Sequence, residues 1–336
     1  MKNNILSAIL FTFLFISCNP QTNNGQQSAA TDSTGTTAEM PPAVDLNPDT
    51  ASGYDHIPMV NEGSPNAGGV TTRKEDMLRT ITFKGKGADE RKLGVSLAAK
   101  GDFKAAIEQF NKSIALSADN PDAYFYRAKA KYDLKDMEGA EADYSTAIRL
   151  RPTQAPYYYY RGIMYMNQRR YAEAVADFTA TVERVPDFYD ALNYQGAALA
   201  HLGNQEEAIN AYNRVLELAP DHAVAHYNKG TSLAGLSKFA EAEAELTQAI
   251  NLDPNYEQAY VNRGNSRLMQ GNHEGAAADY KMALSFNPEN PDALYNSGFA
   301  LRQLGQTDEA CANWKKAVQF GHRLAQQQVD RFCGGK

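Results

Sequence analysis

From residue 87 onward, small and bulky residues alternate along the chain at a fixed period. Ala106, Ala140, Ala174, Ala208, Ala242, Ala276 and Ala310 stand 34 residues apart. Gly94, Ala128, Gly162, Gly196, Gly230, Gly264 and Gly298 keep step with them, as do the bulky residues Phe110, Tyr144, Phe178, Tyr212, Leu246, Tyr280 and Trp314. Pro152, Pro186, Pro220, Pro254 and Pro288 form a fourth column. The pattern predicts a pair of helices per unit. Small residues midway along the first helix and early in the second let the two axes approach, and the bulky residue fills the groove beside them. Each proline stops the second helix, because it has no N–H to continue the ladder. Asn120-Pro121-Asp122 and Asn290-Pro291-Asp292 read as helix starts, and Gly101-Asp102, Gly203-Asn204, Gly271-Asn272 and Gly305-Gln306 as turns.

Such self-similarity marks a solenoid, in which each unit buries its apolar face only against its neighbours. The fold expected is an all-α solenoid of seven repeats over residues 87–322, with a capping helix and tail over 323–336. The array resembles the tetratricopeptide repeat family, most closely in segments 158–165 with 171–186 and 260–264 with 272–288. That resemblance implies a scaffold for protein partners and leaves the partner open. The first repeat is atypical, with Ser113 in a column otherwise mostly Ala and Ala118 in place of the proline.

The N-terminal 86 residues follow a different pattern. Residues 5–16 are a mostly apolar run behind Lys2, too short for a spanning helix and suited to a secretory signal. The run ends Phe15-Ile16-Ser17-Cys18, which resembles a bacterial lipobox, with departures at Phe15 and Ile16. The expectation is a signal peptide over 1–17 and lipidation of Cys18, with an uncleaved signal anchor as the alternative. Asn19 follows the cysteine, which favours the outer membrane facing the periplasm. Residues 18–86 are dominated by Ser, Thr, Asn, Gln, Gly, Pro and Ala, too poor in apolar surface to offset the entropy of ordering. They are expected to be a disordered tether spanning about 45 Å as a coil.

Cys311 and Cys333 remain, and an even pair in an exported chain suggests a disulfide. The two are symmetric about residue 322, so a capping helix turning back over 323–332 would bring them opposite each other.

The net charge of −7 without a basic stripe speaks against nucleic-acid binding. No phosphate-cradling loop or nucleophile elbow is legible, so neither an enzyme nor a cofactor is expected. His222 and His226 have the spacing of two metal ligands on one helical face, but His226 falls in a packing column and no third ligand is evident. Basic and acidic residues pair by repeat: Arg127 with Asp143, Arg161 with Asp177, Lys229 with Glu245 and Arg263 with Asp279. These are expected to be structural ion pairs within each hairpin, worth below about 1 kcal/mol each if exposed.

By helical phase, two columns on the first helices should line the superhelix groove. One contains Phe125, Tyr159, Tyr227 and Tyr295; the other runs Tyr126, Tyr160, Tyr194, Asn228, Asn262, Asn296. A ladder of asparagines can clamp an extended backbone whatever its sequence, as the resemblance to peptide-holding arrays implies. The expected protein is therefore an envelope adaptor that binds protein or peptide segments in its groove and meets the membrane only through its lipid. The alternatives are an architectural subunit of a surface machine or, third, a non-catalytic accessory to an envelope enzyme; the oligomeric state stays open. Changing Cys18→Ala should release the protein from the membrane fraction or leave it as a precursor. A processed, still membrane-bound variant on fractionation would refute lipidation.

Overall fold

The structure, a computed structural model, describes residue 81 and residues 83–334. The expected leader over 1–17, Cys18 and the tether as far as residue 80 lie outside the described residues. The described residues form fifteen helices and no strand. The first helices of the seven hairpins are α1 (Ala88–Ala99), α3 (Pro121–Asp133), α5 (Ala155–Asn167), α7 (Tyr189–His201), α9 (Ala223–Gly235), α11 (Glu257–Met269) and α13 (Pro291–Gln303). Their partners are α2 (Phe103–Leu116), α4 (Met137–Leu150), α6 (Tyr171–Arg184), α8 (Gln205–Leu218), α10 (Phe239–Leu252), α12 (His273–Phe286) and α14 (Thr307–Gln319). A short α15 (Ala325–Phe332) closes the C-terminal end.

Each hairpin is built on the contact that the columns anticipate. A Cβ placed on Gly264 would lie 2.8 Å from the Tyr280 ring, and one on Gly230 would lie 2.8 Å from Leu246. Gly94, Gly162, Gly196 and Gly298 face Phe110, Phe178, Tyr212 and Trp314 in the same way. The second-helix alanines from Ala106 to Ala310 are fully buried beside these rings. Between paired helices the chain turns through one left-handed residue. Four repeats place Gly there (Gly101, Gly203, Gly271, Gly305), whereas Lys135, Arg169 and Ser237 take the same conformation with φ of 65°, 58° and 60°. The backbone demand is common to all seven, although only four repeats show it in residue type.

Helix starts are capped by side chains: Asn120 accepts from the Asp122 N–H, and Asn290 from those of Asp292 and Ala293. At the far end Cys311 and Cys333 form a disulfide, Cα to Cα 5.6 Å, that ties α15 back to α14. Closing a loop of 22 residues stabilises this end by about 3 kcal/mol in the chain-entropy picture. Trp314 is fully buried beneath the cap, against Phe299 and Phe332.

The N-terminal boundary differs from the sequence expectation. The tether was expected to run to residue 86, yet Ile81 is buried and Phe83 stacks on Tyr126, 5.7 Å between ring centroids. The reason is local: Ile81 and Phe83 are large apolar side chains in a stretch otherwise poor in them, and apolar surface is available on the first hairpins.

The Tyr280 ring cannot yield to a larger neighbour, because its hydroxyl is held by Asn265 Oδ1 at 2.8 Å. Gly264→Ala should therefore destabilise by about 1–3 kcal/mol through overpacking. Gly235→Ala, where the nearest atom is at 3.5 Å, should be neutral or stabilising by up to about 1 kcal/mol. Denaturant unfolding of both variants checks the contrast.

Candidate functional site

The two faces of the superhelix are distinguished by how neighbouring repeats touch. Every first helix contacts the next first helix directly, while second helices of successive repeats do not approach to the same degree. The first helices therefore line the inner, concave side, and the residues they present there are the candidate binding surface.

The charged columns sit between helices, away from that surface. Arg127 forks onto Asp143 (Nε 2.7 Å, Nη2 2.6 Å), Arg161 onto Asp177 (2.8 Å for both) and Arg263 onto Asp279 (3.0 and 2.7 Å). Lys229 meets Glu245 at 2.6 Å. The carboxylates of the three arginine pairs are buried, with side chains no more than 6% exposed. These are not the exposed pairs for which a small energy holds. Burial raises the Asp177 carboxyl above its ordinary value even under the Arg161 fork, so desolvation offsets much of the attraction. Removing one partner would leave the other charge stranded. Each arginine also uses its remaining nitrogen to reach the preceding repeat: Asn111 at 2.6 Å, Ser145 at 2.9 Å and Thr247 at 3.2 Å. Gln195 bonds Thr179 in the same register at 2.8 Å. The clasps thus join repeats as well as hairpins, a link the pairing of columns alone did not reveal.

The first groove column requires correction. Phe125, Tyr159, Tyr227 and Tyr295 are buried, no more than 5% exposed, and belong to the core. Three of them are covered by a ring at the end of their own repeat: Tyr159 by Phe188 at 4.9 Å, Tyr227 by Tyr256 at 4.8 Å and Tyr295 by His322 at 3.9 Å. Phe125 packs on Tyr157 of the next repeat at 5.1 Å. Helical phase put these side chains on the inner face, but the connecting segments fold over them.

The asparagine ladder is corrected in the same way. Asn228 and Asn296 are buried, and the amide of each donates to the preceding repeat, to Asn193 Oδ1 at 3.1 Å and Asn265 Oδ1 at 3.0 Å. Asn262, half-buried, donates to the Tyr227 hydroxyl at 3.2 Å and to Thr231 at 3.1 Å. The ladder is a run of inter-repeat hydrogen bonds, because the coiled stack brings each amide onto the polar atoms of its neighbour.

The tyrosine half of the second column remains on the concave side. Tyr126, Tyr160 and Tyr194 are half-buried. Tyr126 lies between Phe83 and Phe110, stacked on both, and Tyr194 stacks on Phe178 at 5.4 Å. Lys129, which the sequence reading did not single out, holds its ammonium 4.2 Å above the Tyr160 ring. Its spacing from Tyr126, one helical turn along α3, was the available signal. Burial pushes the Tyr126 and Tyr194 hydroxyls up to about 12, so both are neutral near neutral pH and able to donate. This half can stack against apolar or aromatic side chains and donate hydrogen bonds to a backbone.

His222 and His226 are committed to structure. His226 contacts Glu245 at 2.7 Å through Nδ1 and the Pro220 carbonyl at 3.0 Å through Nε2. His222 caps α9, its Nδ1 accepting the Ala225 N–H at 3.0 Å.

Family models described as tetratricopeptide repeats match residues 94–135, 121–154, 161–223, 223–256, 264–305 and 292–319, together more than half of the chain. Among solved structures, the chain is similar to YrrB, described as a tetratricopeptide repeat protein with an unusual peptide-binding site. That match has 25% identity and a TM-score of 0.50, covering 55% of this chain and 95% of that one. It is also similar to the C-terminal part of a repeat protein from Cytophaga hutchinsonii, at 19% identity and a TM-score of 0.59, over 71% and 98% of the two chains. A repeat protein from Parabacteroides merdae matches at 16% identity and a TM-score of 0.55, over 74% and 99%. These last two show the fold alone. No curated protein matches the chain at a significant level.

His222 gives this side of the molecule a pH response. Burial, aided by nearby His226, pulls its imidazole down to about 4. Between about pH 6.5 and 4 the unfolded chain takes up a proton that the folded chain refuses, so stability falls as pH drops through this window. His222→Asn keeps a capping acceptor without the titration. From pH 6.5 to 5 the unmodified protein should lose about 1.5 kcal/mol more than the variant in parallel denaturant titrations.

Proposed function

Because the chain belongs to the tetratricopeptide repeat family, a scaffold for protein interaction, we propose that it is a lipid-anchored cell-envelope adaptor that holds extended protein segments against its concave face. The observation that carries the reading is the half-buried aromatic stretch Tyr126, Tyr160 and Tyr194 with Lys129 beside it. Stacking rings and hydroxyl donors on a preformed surface suit an extended chain, whose backbone offers acceptors and whose alternate side chains offer apolar contact. The similarity to YrrB, which is described as having a peptide-binding site, supports the same class of ligand.

The envelope placement rests on the residues of the leader and on Cys18. A protein moored by one lipid and a long tether searches a restricted volume, which raises the effective concentration of its partner without new contacts. The outer membrane, periplasmic side, fits Asn19 after the cysteine.

The test is capture from crosslinked envelopes with the anchored full-length protein as bait. Tyr160→Ala with Tyr194→Ala should lower recovery of the partner by about ten-fold or more, since a well-packed aromatic in a binding surface commonly contributes above about 1 kcal/mol. Circular dichroism and thermal unfolding of the same variant establish that the stack persists. Undiminished capture by a folded variant places binding elsewhere and sinks the groove reading. A single partner recovered in fixed stoichiometry through purification supports the architectural alternative.

A further inference from the structure

Two departures of the first repeat, Arg91 and Ser113, meet one segment. Where the other repeats place Phe125, Tyr159 or Tyr227, it carries Arg91. Arg91 is fully buried, and its guanidinium donates to the carbonyls of Lys84 at 2.6 Å and Lys86 at 3.2 Å. Ser113, the exception in a mostly alanine column, donates its hydroxyl to the Gly87 carbonyl at 2.9 Å and accepts from Arg91 at 3.2 Å. Gly87 is left-handed, and a Cβ there would strike the Ser113 backbone at 2.9 Å. These residues grip a backbone. Ahead of that grip, Phe83 lies on the Tyr126 ring, and Ile81 is buried in the same apolar cluster as Phe125, Tyr157 and Tyr159.

The gripped carbonyls belong to a turn that leads into α1, with Gly85 and Gly87 left-handed and the Ala88 N–H bonding the Gly85 carbonyl at 3.3 Å. Ahead of it, two apolar side chains spaced two residues apart rest on an aromatic floor, as alternate side chains of a bound peptide do. We infer that Ile81 and Phe83 are a built-in ligand of the N-terminal end of the concave groove. The surface they occupy takes extended segments with apolar side chains at positions i and i+2. An external segment of that chemistry displaces Ile81 and Phe83 from Tyr126, while the Arg91 grip keeps the strap tethered nearby. This rests on the groove reading above and adds the identity of its resident occupant and the pattern of its partner.

An intramolecular competitor at about millimolar effective concentration weakens external binding by the ratio of that concentration to its own dissociation constant. The probe is a labelled peptide of residues 75–86, titrated against the full chain by fluorescence anisotropy. Ile81→Ser with Phe83→Ser, which empties the aromatic floor and leaves Arg91 in place, should bind the peptide about ten-fold or more tightly than the unmodified chain. Equal affinity for both, or no binding to a double variant that keeps its helical signal, overturns the inference. If the envelope partner is still captured in that case, the groove reading stands without this one.

A second measurement needs no weakened fold. With a photoreactive benzoylphenylalanine at position 83 of the full chain, irradiation should crosslink to the tryptic peptide containing Tyr126. Excess unlabelled 75–86 peptide should suppress the product. A crosslink to another surface, or one that saturating peptide does not diminish, also overturns the proposal.

Discussion

The close approach of a small residue on one helix to a ring on its partner is the contact on which the rest depends. At Gly264 there is no room for a methyl group beside Tyr280, and the same holds at Gly298 beside Trp314. That closeness fixes the geometry of every hairpin. Repeating it without insertion gives each unit the same rotation on its neighbour, so the stack coils and acquires an inner face. Seven independent hairpins would be unstable, because each has an apolar side that only the next repeat can cover.

Polar residues finish what apolar contact begins. The arginine forks of Arg127, Arg161 and Arg263 bind a carboxylate in their own repeat and a side chain in the one before. Asn228, Asn262 and Asn296 add side-chain hydrogen bonds across the seams from the fourth repeat to the seventh. A buried arginine–carboxylate pair contributes little net stability compared with an apolar pair, but its geometry admits only one register. The groove consequently changes character along its length. In the N-terminal repeats it offers tyrosine rings, one of them already covered by Phe83; in the C-terminal repeats its polar groups are occupied in holding the stack together.

The ends of the solenoid meet the problem of an uncovered face differently. The C-terminal repeat is closed by α15, joined to α14 through Cys311 and Cys333. The N-terminal repeat holds the segment that leads into α1 through Arg91 and Ser113. A helix fastened by a disulfide covers its end permanently. A segment seated by two side chains and a few hydrogen bonds covers its end less firmly, and it lies on the surface proposed for binding.

The sequence by itself determined the period, the helix pairs, their caps and stops, and the partners of the charged columns. Each of these depends on residues close in the chain or one repeat apart, where a fixed helical pitch translates spacing into position. The pairing of Cys311 with Cys333 was legible for the same reason. Tertiary structure decided what helical phase could not. Phe125, Tyr159, Tyr227 and Tyr295 point inward as their phase requires, yet are covered by residues such as Phe188 and Tyr256 that belong to connecting segments. The asparagines have the spacing of a ligand clamp, but the curvature of the stack sets how far each amide stands from the neighbouring repeat, and that distance is short enough to bond. Ser113 looked like the looseness of a terminal repeat until the segment ahead of α1 lay across it. Burial and the occupancy of a hydrogen-bonding group depend on atoms distant in sequence, so a pattern along the chain identifies the face and only the packed molecule shows which of its residues remain available.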